Sequence, residues 1–219
     1  MSQERIPDKE PARHLFPEFT GTSGLVHEEV AGLTDDQLDW ESDRWEWSKW
    51  SIRRQISHMA SLTYRWLLSR WGDQLFPDGS GIAPDLVEAL AESPHDRRLD
   101  ENRFWEMPDI ERALNDALSL AESVLERRTA GDMRAITVSL SQGSHWDVMI
   151  KAHPYGVERD PATGLSTLTL EATFRHMYFE HITHLYNVQR LKRAQGLEAR
   201  VELPHVGYWT LPEWDRSEP

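Results

Sequence analysis

The chain has 219 residues, no cysteine, and a formal net charge of −13 from 37 acidic and 24 basic side chains. That length suits one domain with one sizeable core, and the missing cysteines exclude disulfides, a thiolate nucleophile and cysteine-ligated zinc. The acidic field repels phosphate backbones, so no nucleic-acid partner is expected. No run approaches the roughly 18 apolar residues of a membrane span. The N-terminal MSQERIPDKEPARH lacks the apolar core of a secretory leader, and a cytoplasmic protein without membrane contact is the expectation.

Residues 1–14 are polar and are expected to be loose. A first helix opens at Pro17 and runs to about Gly32. Phe19, Val26, Val30 and Leu33 form its stripe, weakened by Gly21 and Gly24. Thr34-Asp-Asp-Gln37 has the capping-box pattern of a short helical turn. An irregular connection follows, rich in tryptophan (Trp40, Trp45, Trp47, Trp50). The ten tryptophans also cluster at 66–71 and near the C-terminus; most read as core, a few as pocket walls.

Ser51 reads as the N-cap of a second helix, about 52–71, with Ile52, Ile56, Met59, Leu62, Thr63 and Trp66 buried. His58 lies about 100° from the centre of that stripe, a place that suits a ligand at a groove rim or an ordinary half-exposed histidine. Residues 72–107 form a long excursion with a short helix near 85–91. Pro108 starts a third long helix, which buries Ile110, Leu114, Ala117, Leu118, Ala121, Val124 and Leu125 and ends near Arg128. Ile136–Leu140 and Trp146–Ile150 alternate around Ser-Gln-Gly-Ser and predict a hairpin. Thr137, Ser139, Ser141 and Ser144 then fit its outward face better than a nucleophile's role.

The last helix, about 167–195, contains HMYFEHITHLYNVQRLK (176–192). His176, Glu180 and His184 recur every four residues. At about 100° per residue, positions 180, 181 and 184 share roughly a quadrant of one face. Imidazoles and a carboxylate so placed can ligate one divalent ion, Zn²⁺, Ni²⁺, Fe²⁺ or Mn²⁺. A further ligand must come from another helix, where His58 is the best candidate. The apolar stripe (Leu170, Phe174, Met177, Val188, Leu191) puts His181 near its centre, His184 to one side, Glu180 at the margin and His176 beyond. Stripe geometry alone therefore prefers His181 to Glu180.

Three stretches, GLTDDQLDW (32–40), KWSIRRQISHMA (49–60) and RHMYFEHITHLYNVQRLKRAQG (175–196), together resemble the DinB-like superfamily in order and spacing. The resemblance implies an all-α fold, a four-helix bundle over 15–200 with long crossing connections, joined here by the small β-hairpin near 135–150 and by terminal extensions at 1–14 and 201–219. It implies one divalent metal held by a histidine of the second helix and two ligands one turn apart on the last. Carried over in register, these are His58, His184 and position 180, where Glu180 stands in place of the usual histidine; the family's glutamine position is Asn187. Three outcomes follow: Glu180 ligates, His181 substitutes, or the site has lost its metal. The register favours His58, Glu180 and His184, with His181 in reserve or as a general base. The family's chemistry implies S-transfer with a low-molecular-weight thiol, or metal-assisted hydrolysis, on a small-molecule substrate, in a homodimer. The alternative is a bundle of the stress response that binds metal or ligand without chemistry.

Overall fold

The computed structural model describes residues 5–140, 146–153 and 155–219. It is mainly helical with one small antiparallel sheet. The helices that build the core are α1 (Thr22–Val30), α3 (Ile52–Tyr64, continued by a π-helical stretch Arg65–Arg70), α6 (Met107–Glu126) and α9 (Leu170–Ala194). Here α3 packs on both α6 and α9, and α1 packs on the same two. The shorter helices are α2 (Asp35–Leu38), α4 (Gly72–Leu75), α5 (Pro84–Ala91), α7 (Ala130–Ala135) and α8 (Trp146–Ala152). No helix among the described residues is long and apolar enough to cross a membrane.

Local rules account for most boundaries. Thr34 and Gln37 form the capping box at α2, and the Ser51 hydroxyl accepts from the Arg54 N–H to start α3. All seven apolar residues expected on the face of α6 are buried. The first helix is shorter than its pattern suggests. Around Gly21 the helical preference is low, and the Thr22 hydroxyl donates back to the Phe19 carbonyl (2.8 Å) instead.

The hairpin expectation needs correcting. Strand β1 (Thr137–Leu140) pairs not with 146–150 but with β3 (Ser166–Thr169), in the register Thr137↔Thr169 to Leu140↔Ser166. Strand β2 (Val157–Arg159) lies on the other edge of β3, giving the order β1-β3-β2. Residues 146–152 form α8. Their spacing, apolar at 146, 148, 149 and 150, satisfies a helical period as well as a strand period. The partner β1 selects, β3, faces Val138 with the fully buried Leu168. Residues 141–145, which hold the expected turn, lie outside the described residues, as do Ser141 and Ser144 of the hydroxyl face; Thr137 and Ser139 are exposed. Pairing by β3 also moves the start of α9 to Leu170, where Thr169 caps it by accepting from the Ala172 N–H (3.1 Å).

Neither end of the described chain stands away from the body. Ala12 is fully buried and its N–H donates to Arg128 O (2.9 Å), while the Ala130 N–H donates to Glu10 O (2.8 Å). Residues 201–219 return along α9: Arg190 donates to the carbonyls of Asp215 and Ser217, and Trp47 Nε1–H donates to the Ser217 hydroxyl.

Candidate metal centre

Where α3 faces α9, His58, Glu180 and His184 each offer a ligand atom, and these atoms lie within 4.8 Å of one another. The His58 and His184 ring centroids are 4.4 Å apart. Glu180 Oε2 is 3.3 Å from His184 Nε2 and 3.8 Å from His58 Nε2. Donor atoms about 2.1 Å from a tetrahedral ion are spaced about 3.4 Å from each other, so the cluster has the right scale for one ion. Its exposure is graded: the side chains of His58, His184 and Glu180 are 3%, 13% and 23% exposed. Glu180 is thus the most solvent-open of the three.

Both imidazoles are oriented from behind. His58 Nδ1–H donates to the Arg97 carbonyl (2.8 Å), and His184 Nδ1–H donates to Gln55 Oε1 (2.5 Å). Gln55 has no freedom to turn its amide over, because its Nε2 donates to the carbonyls of Trp47 and Trp50. Both Nε2 atoms therefore face the Glu180 carboxylate. A proton held on either ring bridges to the carboxylate, and a bound cation takes that proton's place. Histidine ligands oriented by a hydrogen bond on the far nitrogen are the usual metal-site arrangement.

The Arg97 carbonyl reaches His58 because the 92–106 segment is laced to α3. The Leu99 N–H donates to Ser57 Oγ (3.1 Å) and Arg54 pairs with Glu101 (3.0 Å). Asp96 and Arg97 take positive φ angles of 31° and 63°, the kind of backbone strain that accumulates at functional sites. Gln55→Ala should keep the fold but weaken metal affinity about 10- to 100-fold, the usual cost of losing a residue that orients a ligand. Competition with a chelating dye measures it, and an unchanged affinity would show that Gln55 does not orient His184.

Charge states follow from the surroundings. Burial, and then the neighbouring His184, push the His58 imidazole down to about 4 against the opposing pull of Glu180. Burial pushes the Glu180 carboxyl up, but the facing imidazoles of His184 and His58 outweigh it and hold it well below the ordinary carboxylate range. At neutral pH the cluster therefore offers a neutral His58 and an ionised Glu180, the forms that ligate.

His181 is not brought into this cluster. It is fully buried against Phe19, and its Nε2 is engaged by Thr63 Oγ1 (3.0 Å) and the Met59 carbonyl (3.2 Å). His176 instead joins a second group that sequence reasoning missed. Its Nδ1 lies 2.6 Å from the Tyr208 hydroxyl, which also meets His153 Nε2 at 3.1 Å. Tyr208 reaches them because Gly207 turns with φ 101° in a place too tight for a side chain: a Cβ there would lie 3.0 Å from the Phe179 carbonyl. Trp50, expected only as one of several aromatics, has its ring 5.2 Å from that of His58 and 6.3 Å from that of His184.

Set against known protein families, curated proteins and solved structures, the chain matches none of them.

Proposed function

We propose that this chain is a divalent-metal-dependent enzyme on a DinB-like four-helix bundle, with one Zn²⁺, Ni²⁺, Fe²⁺ or Mn²⁺ ion held by His58, Glu180 and His184. The observation that carries this reading is the outward donation of both Nδ1 protons, which turns both Nε2 atoms and a carboxylate oxygen toward one point. The bundle is favoured by the mutual packing of α1, α3, α6 and α9, and by the resemblance carried on residues 32–40, 49–60 and 175–196.

A bound ion supplies an open position at which a thiol or water loses its proton near neutral pH. The chain's own residues then have defined tasks. His58, Glu180 and His184 hold the site, Gln55 and the Arg97 carbonyl orient its imidazoles, and Trp50 walls it with an aromatic face. With no cysteine in the chain, sulfur must arrive with a low-molecular-weight thiol, and S-transfer from such a thiol is the reaction this reading favours. Metal-assisted hydrolysis is the companion chemistry of the same position. His181 has no part as general base here: its buried ring already serves Thr63 and Met59.

Protein purified without a nickel column should carry about one transition-metal ion per chain by elemental analysis. The loaded protein should also accelerate the reaction of a small thiol with an electrophile. A chain that holds no ion, and takes up none of the four when they are added, would remove the reading.

A further inference from the structure

A recess of about 410 Å³ opens beside the cluster, and its wall includes Arg65, Ser69, Arg70, Glu92, Arg97 and Arg98. Four guanidinium groups against one carboxylate is an unexpected balance in a chain of net charge −13. Arg98 is paired with Glu101 (2.9 Å), and Arg97 meets Asp96 at 3.4 Å on the exposed surface. Half-buried Arg65 has no carboxylate within ion-pair distance and no hydrogen-bond acceptor among the described residues. A half-buried guanidinium facing such a recess is free to take an anion as its partner. Burial, then the charges of Arg97 and Arg70, lower its affinity for its proton, to about 10.

The recess and the metal cluster are adjacent. Arg97 lines the recess with its side chain while its backbone carbonyl holds His58. The Arg97 and Arg98 guanidinium carbons each lie 5.2 Å from the centre of the Trp50 ring, the same ring that stands 5.2 Å from His58. Arg65 and Glu180 also sit within each other's field.

We propose that this recess binds the anionic end, a carboxylate or phosphate, of the small molecule whose other end reaches His58, Glu180 and His184. Arg65 is the central contact, because its planar fork matches two oxygens of such a group. Arg97 and Arg98 add charge at the rim. The substrate or thiol of this protein is thereby assigned to the organic acids or phosphate esters rather than to neutral molecules. The assignment rests on the metal reading for the reacting end, but binding of the anion does not.

The test is calorimetric titration of the full chain with succinate and, separately, with inorganic phosphate, at low ionic strength so that chloride does not mask the site. It is done on metal-loaded protein and on protein stripped with a chelator and dialysed free of it. Saturable binding is expected in both forms, weakened about 10- to 100-fold by Arg65→Gln, partly restored in Arg65→Lys, and unchanged in Arg112→Gln, whose side chain lies on the exposed face of α6. Succinate binding assigns an organic acid; binding of phosphate alone assigns a phosphate ester. If Arg65→Gln does not fold, Arg97→Gln decides by the same criterion, since it keeps the backbone carbonyl that His58 needs. No saturable binding of either anion, or wild-type affinity in the deciding variant, overturns the proposal. Anion binding in a chain that takes up no metal would remove only the metal reading, whereas a metal-loaded chain indifferent to both anions would remove only this one.

Discussion

Glu180→Ala and His184→Ala are expected to empty the metal site while His181→Ala leaves it loaded. Each of the first two removes one of three converging donors. The loss in affinity should exceed the roughly 100-fold upper range seen when only an orienting residue is removed. Added Zn²⁺ should raise the melting temperature of the wild type and of His181→Ala, because an ion that binds only the folded state stabilises it by mass action. It should leave Glu180→Ala and His184→Ala unmoved. His181→Ala carries its own cost, a cavity beside Phe19 and the loss of the bond to Thr63, so its melting temperature starts lower but still responds to metal. This contrast separates a ligand from a core residue. Elemental analysis that finds metal in Glu180→Ala and none in His181→Ala would make His181 the ligand.

Glu29→Gln is expected to be the most destabilising conservative substitution in the chain. Glu29 of α1 is fully buried and pairs with Lys192 of α9, itself 1% exposed. Glu29 Oε1 also accepts from Gln189 Nε2 (2.8 Å) and from the backbone N–H groups of Arg200 (2.9 Å) and Val201 (3.0 Å). One carboxylate thereby joins α1, α9 and the returning C-terminal segment. Neutralising it leaves a buried ammonium without its counter-charge, which costs about 3–5 kcal/mol. Urea denaturation measures this, and a change below about 1 kcal/mol would show that water replaces the carboxylate. The double change Glu29→Leu with Lys192→Met should cost less than the two single changes summed, since the charges are then removed together. Burial pushes the Glu29 carboxyl up, but Lys192 and the backbone donors outweigh it and hold it below its ordinary value of 4.5. Its contribution is therefore complete above pH 4.5 and is lost as pH falls through the lower folded value.

The local and periodic features of this protein were legible in its residues. Ser51 and Thr34 cap helices because a side-chain oxygen two or three residues before a free N–H needs no tertiary help. The face of α6 follows from spacing alone, and the short helix at Pro84–Ala91 from a proline at its start and an apolar run. The four-residue step from Glu180 to His184 marks a candidate ligand pair, and His58 stands out as the histidine on the facing helix. Their ring centroids prove to be 4.4 Å apart.

Only the tertiary structure decided the rest, wherever a short pattern admitted two answers or the partner lay far along the chain. Which of Glu180 and His181 stands beside His58 is one case: the stripe favoured His181, and α3 and Phe19, just before α1, do bury that ring, but in the core, leaving Glu180 on the partly open side with His58. The strand at Thr137–Leu140 is another. Its partner is Ser166–Thr169 rather than the nearer alternating run, because sheet pairing is settled by which buried face is available, not by proximity in sequence. Gln55, the Arg97 carbonyl and the guanidinium of Arg65 in its recess gave no sequence sign at all. A side chain that orients an imidazole, a backbone oxygen presented by an irregular segment and a charge that lines a recess are defined by what stands opposite them, and that exists only once the chain has folded.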